Sequence, residues 1–399
     1  MYGLVLEGGG AKGSYHIGAY RAIMEEGLEI KAIAGTSIGA LNGAMLVQGD
    51  YEKCYELWHD ICYSKVIVAN DNEMEKLNQR KLDKEDLRLL ADKIKLLIGD
   101  RGFDITPFKN LLDTYIDEDK IRNSNIDFGI VTINLTDFKP IKIFKEDIPR
   151  GEIKSYLLAS AYLPAFKSEK IGGKRYIDGG FYDNLPFKLL QSKGYENLII
   201  VRTHARGITR KIDSKINAII ISPSDDIGTS YTYEHDSARR NMELGYFDGL
   251  KAIRKLMGIK YYIEPKEKEF FFNHLFNLNN EQLCLLREII KTPNIPDKRA
   301  LFEYIIPKVA SVLGLHKSFT YGEFIIALLE KKAEALEINK FQIFSFENLL
   351  ELIKCTPCKE QKICIETSRL GKIIEKVDLV ALFNKSDVII KIADIILCK

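Results

Sequence analysis

Three short strings in the chain hold residue types that could do chemistry together. The first, Gly8-Gly9-Gly10-Ala11-Lys12-Gly13, follows an apolar strand pattern, Tyr2 to Leu6, and opens a helical one running from Ser14 to Glu26. Consecutive glycines at a helix start let backbone N–H groups approach an anion closely, either a phosphate or the transient oxyanion of an ester hydrolysis. The string satisfies G-x-G-x-x-G, but dinucleotide binding calls for a carboxylate closing the second strand. That strand, Ile30 to Ala34, runs instead into Gly35-Thr36-Ser37. A P-loop is excluded as well, because Ser14 follows Gly13 where a lysine is required.

The second string, Gly35-Thr36-Ser37-Ile38-Gly39, fits G-x-S-x-G between a strand and the helix Ala40 to Val47. In a nucleophile elbow the glycines permit close chain approach around a strained serine, and the N–H of the next residue, here Ile38, helps hold an oxyanion. The same residues also suit a plain strand-to-helix turn with Ser or Thr as N-cap. An activated serine needs a proton acceptor within hydrogen-bond reach. Of the six histidines (His16, His59, His204, His235, His274 and His316), His204 completes a Ser–Asp–His order. The α/β-hydrolase elbow, however, follows several more strands than the single one here. His16, one turn into the first helix, reads as a packed neighbour of the loop. The third string, Lys174-Arg175-Tyr176-Ile177-Asp178-Gly179-Gly180, offers the better base: Asp178 closes a strand, and burial without a cation would raise its pKa toward a useful range. Asp-Gly-Gly is also an ordinary turn sequence. Asp183, five residues on, is the runner-up base and is expected to be structural.

The elements around these strings read as β-α-β-α, the alternation of an α/β layered domain with a mostly parallel sheet. Residues 51–125 are charged and helical in pattern, with Leu87, Leu90, Ile94 and Leu97 on one stripe, and read as an excursion over one sheet face that could cover a site. Strand patterns return at Phe128 to Ile133, Pro140 to Phe144, Arg175 to Ile177, Asn197 to Arg202 and Asn217 to Ile221, with a helix from Ser155 to Ala161. A soft boundary near 260 divides a domain over 1–260 from an all-α domain over 261–399, whose amphipathic stripes are core more often than membrane or partner faces.

Taken in order, the glycine loop, G-x-S-x-G and D-G-G resemble the signatures of the patatin-like phospholipase family. Ala159-Ser160-Ala161-Tyr162-Leu163-Pro164-Ala165-Phe166, Asn184-Leu185-Pro186 and Arg240 to Gly245 are similar to family segments, so the resemblance covers about residues 1–250. It implies a three-layer α/β/α sandwich with a Ser–Asp dyad and no third member. Ser37 would attack an acyl carbonyl and Asp178 accept its proton. The glycine loop, Gly8, Gly9, Gly10, Lys12 and Gly13, would lie at the oxyanion, with N–H donors from Gly9, Gly10 and Ile38. Lys12 would support that loop or favour a lipid phosphate, and Gly35, Gly39, Gly179 and Gly180 would shape the two turns. The implied activity is lipid acyl hydrolysis of phospholipase A or lysophospholipase type, with no metal or cofactor. The alternatives are an esterase or thioesterase on another acyl substrate, and a low-turnover binding or storage protein on the same scaffold.

Composition is that of a folded globular protein. The 399 residues are 46% hydrophobic and 29% charged, with a net charge of +2 and no long basic block, which argues against a nucleic-acid partner. No apolar run approaches the roughly 18 residues of a membrane span, and no basic leader precedes the first strand. The expected setting is cytoplasmic, with a phospholipid or other acyl-ester lipid as partner and peripheral contact at a membrane. Seven cysteines argue against a disulfide framework. Cys355, Cys358, Cys364 and Cys398 fit no familiar zinc spacing, since no histidine lies beyond His316.

Overall fold

The computed structural model describes residues 1–68, 71, 102–167, 169–213, 216–356 and 385–397. The stripe of Leu87, Leu90, Ile94 and Leu97, the cysteines 358, 364 and 398, and the first part of the helical pattern at 372–396 lie outside the described residues. The chain divides into two units, Met1–Arg254 and Lys255–Lys399.

The first unit is built on a seven-stranded sheet of β1 (Tyr2–Leu6), β2 (Ile30–Thr36), β3 (Asp127–Asn134), β4 (Lys139–Phe144), β5 (Tyr176–Asp178), β6 (Asn197–Val201) and β7 (Asn217–Ile221). Its order is β4-β3-β2-β1-β6-β7, with β5 also on β3. The run β3-β2-β1-β6-β7 is parallel, and β4 and β5 are antiparallel to β3. Alternate residues of the central strands face opposite layers. Val5, Ala32, Ala34 and Val131 pack with Leu185, Phe187 and Leu190. Leu6 and Ile33 approach Gly43 in helix α2 (Ile38–Val47) on the other side. That helix is apolar nearly all round because it is buried nearly all round.

Four further helices bear on the site: α1 (Ser14–Glu25), α3 (Tyr51–His59), α4 (Thr106–Tyr115) and α5 (Ile153–Ser160). A long sixth, α6 (His235–Arg254), packs along α1.

The register on β3 places the site. One edge of β3 is taken by β4; the other pairs with β2 from Asp127 to Val131, then with β5 from Thr132 to Asn134. Thr36 is opposite Val131 and Asp178 opposite Thr132. The last residue of β5 therefore meets β3 one step beyond the point where β2 leaves it.

The second unit has its own core, in which Phe271, Leu275, Leu286, Phe324, Leu328 and Leu329 are buried. Its helices at 280–290 and 321–335 begin with capping boxes, Asn279 with Gln282 and Thr320 with Glu323, which satisfy the first free N–H groups. The expectation of an all-α unit needs one amendment: β8 (Tyr262–Ile263) and β9 (Ile343–Phe344) form a short parallel pair. Two residues per strand carry no readable period, so nothing in the sequence announced it.

Candidate active site

Ser37 follows β2 directly and caps α2 with φ 55 and ψ −126, a backbone conformation costly for any residue with a side chain. Its neighbours hold it there by close contact. A Cβ on Gly35 would stand 2.2 Å from the carbonyl of Gly39, and one on Gly39 would stand 2.3 Å from the Leu6 carbonyl oxygen. Any larger residue at either position would drive the turn away from the sheet.

Asp178 is only 4% exposed, and Ser37 7%. The Gly180 N–H donates to Asp178 Oδ1 at 2.7 Å. Burial pushes the Asp178 carboxyl up from 3.8 to about 6, while the Ser37 hydroxyl and the Gly180 N–H, both hydrogen-bonding to its charged form, pull the other way.

One side chain ties the two turns together. The Ser37 N–H donates to Ser160 Oγ at 2.9 Å, and that hydroxyl donates to the Val131 carbonyl at 2.6 Å. The Gly179 N–H reaches the Ser160 carbonyl at 3.1 Å, and the Asp178 N–H reaches the Tyr162 carbonyl at 2.9 Å. The stretch Ser160 to Tyr162 thus holds the backbone of both Ser37 and Asp178. Its only signal in the sequence was the similarity of the segment to family members.

The glycine loop forms a 3₁₀ turn, Gly10–Gly13, leading into α1. Gly8 donates its N–H to the Asn184 carbonyl at 3.0 Å and Ala11 to the Ser230 carbonyl at 2.9 Å. The Gly9 and Gly10 N–H groups make no hydrogen bond among the described residues, as expected of a turn start. Ile38 opens α2 and leaves its N–H free of helix bonding for the same reason. Lys12 Nζ donates to the Thr203 carbonyl at 3.3 Å, across the loop.

Two buried groups brace this loop that sequence reasoning had not singled out. Glu7 is fully buried and accepts from Arg202 Nε at 2.9 Å, the Thr203 N–H at 2.6 Å and the His204 N–H at 3.0 Å. Asn42 accepts from Trp58 Nε1 at 2.9 Å and donates to the Gly13 carbonyl at 2.9 Å. A lone Glu or Asn inside an apolar run is the available signal, and it does not say what the residue holds.

The other candidate bases stand apart from Ser37. Asp183 is buried, with Oδ2 2.6 Å from Lys142 Nζ, and its carbonyl accepts from Thr36 Oγ1. His16 is fully buried with Nδ1 3.3 Å from Asn42 Nδ2, and burial pushes its imidazole down to about 3. His204 sits at φ 48 with its N–H on Glu7, and burial, then Arg202, lower its pKa.

Ser37 opens on an apolar pocket of about 90 Å³. Ile38, Leu41 and Met45 of α2 line it, with Trp58 of α3 and Phe108 and Leu112 of α4. A charged nucleophile would be poorly solvated there, whereas a hydrocarbon chain would be well received.

Residues 4–190 match the family described as patatin-like phospholipase. The neuropathy target esterase sws of Drosophila melanogaster is 29% identical over 201 residues, which is 50% of this chain and 12% of that protein. The patatin-like phospholipase domain-containing protein 7 of Rattus norvegicus is 24% identical over 206 residues, 52% of this chain and 14% of that protein. The chain thus corresponds to a small part of the length of these relatives. Among solved structures it is similar to VipD from Legionella pneumophila, with a TM-score of 0.39 and 15% identity over 99% of this chain and 90% of that one.

Proposed function

We propose that this patatin-like domain is a lipid acyl hydrolase working through an acyl-enzyme on Ser37, with Asp178 as its proton acceptor. The observation that carries the reading is the pairing of a strained, buried serine, which lines an apolar pocket, with a buried carboxyl. An acyl chain lies in the pocket and its ester carbonyl meets Ser37 Oγ. As Oγ attacks, its proton passes to Asp178, whose pKa of about 6 makes it a better base than an exposed carboxylate. The N–H groups of Gly9, Gly10 and Ile38 receive the oxyanion; donors of this kind contribute on the order of 2.7–4 kcal/mol each. The C–O bond then breaks, the alcohol leaves with the proton from Asp178, and a water molecule repeats the cycle to release the fatty acid.

Phospholipid or lysophospholipid is the substrate class favoured by the family and by the apolar pocket, with an esterase or thioesterase role on another acyl substrate as the alternative. A fluorophosphonate probe tests the chemistry: wild type should label and Ser37→Ala should not. Equal labelling of the two removes the serine-hydrolase reading. A panel of phospholipids, lysophospholipids and soluble thioesters at matched chain length tests the substrate, and faster turnover of the soluble thioester would displace the phospholipid assignment.

A further inference from the structure

We propose that Tyr233 is a substrate-contacting residue whose hydroxyl donates a hydrogen bond to the bridging oxygen of the bound ester, the atom that departs with the alcohol. This rests on the reading of Ser37 and Asp178 as the reacting pair. Tyr233 lines the same pocket as Ser37 and Gly10. Tyr233 is half-buried, and its hydroxyl makes no hydrogen bond among the described residues, which leaves it open to a polar atom that enters the pocket. Nearby polar side chains of the pocket are already engaged: the Asn42 amide with Gly13, and the Trp58 indole with Asn42. An acyl ester bound in the pocket brings the phenol two acceptors, its carbonyl and bridging oxygens.

The position of Tyr233 is set by the same loop that carries the oxyanion donors. The chain after β7 crosses the glycine loop, where the Ser230 carbonyl accepts the Ala11 N–H at 2.9 Å. The contact is so close that a Cβ on Gly10 would stand 2.2 Å from that oxygen. Asn241 Nδ2 ties the loop to α6 through the Ile227 carbonyl at 3.0 Å, and the Tyr63 ring meets Tyr233 edge-on at 6.0 Å. Burial above all, with smaller contributions from Tyr231, Tyr63 and Asp178, raises the pKa of the phenol and holds its proton in place. A phenol that keeps its proton is a donor and not a base.

In acylation Ser37 Oγ bonds to the acyl carbon and its proton moves to Asp178. The bond from carbon to the bridging oxygen then breaks, and the electron pair goes to that oxygen, which takes the proton back from Asp178. Tyr233 keeps its own proton throughout and steadies the charge growing on the departing oxygen. In deacylation the departing oxygen is Ser37 Oγ and water enters from the place the alcohol left, so the help Tyr233 gives to the departing alcohol is read in kcat/KM, which reports acylation.

The test is Tyr233→Phe, which retains the ring against Tyr63. Its kcat/KM is compared with wild type on a glyceryl ester and a 4-nitrophenyl ester of the same fatty acid, with fluorophosphonate labelling as a check on the dyad. The glyceryl ester, whose alkoxide leaves poorly, should slow about tenfold. The 4-nitrophenyl ester should stay within about twofold, because a stable phenolate needs little help from a donor. Labelling should proceed at the wild-type rate. Equal loss on both esters, no loss on either, or a matching loss of labelling would each overturn the role of Tyr233. Wild type that neither labels nor turns over either ester would overturn the dyad reading itself, and this is a distinct result.

Discussion

Replacing Asp178 with asparagine separates the cost of the proposed base from its use. In the folded protein burial raises the carboxyl from 3.8 to about 6, so the fold prefers it protonated. Its stabilising contribution is then complete below pH 3.8 and is lost as pH rises through 6. A shift of about two units at 1.36 kcal/mol each means that ionised Asp178 costs the fold about 3 kcal/mol at pH 8. Asparagine is uncharged, has nearly the same shape, and can still accept the Gly180 N–H. Asp178→Asn should therefore be about 3 kcal/mol more stable than wild type at pH 8, and nearly equal to it at pH 3.5. Urea unfolding followed by tryptophan fluorescence reads this directly, because the single tryptophan, Trp58, is buried in the unit that holds the site. The same ionisation should give wild-type kcat/KM an acid limb near pH 6, with activity at pH 5 about a tenth of the plateau. A variant no more stable than wild type at pH 8, or a flat profile between pH 5 and 8, would refute the argument.

Three further outcomes follow from the same geometry. Ser37→Gly should unfold about 1 kcal/mol later than Ser37→Ala, since glycine accepts a positive φ without strain, and neither should turn over ester. Ser160→Ala takes away the acceptor of the Ser37 N–H and a donor to the Val131 carbonyl; it should cost about 2 kcal/mol in urea unfolding and lower kcat more than it raises KM. Glu7→Gln removes the charge that the half-buried Arg202 and two backbone N–H groups share, and should cost about 3 kcal/mol by thermal or urea unfolding.

Much of the layered fold could be read directly along the chain. The strands at 2–6, 30–36, 127–134 and 197–201 are apolar runs bounded by turn residues, and they came out close to where the pattern placed them. The small residues of α2 and the two glycines around Ser37 likewise announced a turn pressed against the sheet. What the pattern could not show was which strand borders which. That β5 takes over the edge of β3 where β2 stops depends on antiparallel return of a three-residue strand, too short to carry a period. The pair β8 and β9 escaped notice for the same reason. Glu7 and Asn42 were passed over because a buried polar residue is recognised by its partners, and these lie on distant segments.

The sequence alone determined the local conditions for chemistry: glycines where N–H groups must be bare or chains must touch, a serine at a forced turn, and an aspartate closing a strand. These are set by neighbouring residues, through backbone sterics that act over a few bonds. Only the tertiary structure decided that Asp178 and Thr36, the residue before Ser37, stand at adjoining positions along β3, that Ser160 locks both turns, and that Gly8 is engaged while Gly9 and Gly10 are bare among the described residues. It also decided the environment. Desolvation is a property of everything packed around a group, and that packing is what lifts Asp178 to about 6 and sets Tyr233 in the wall of the pocket that Ser37 lines.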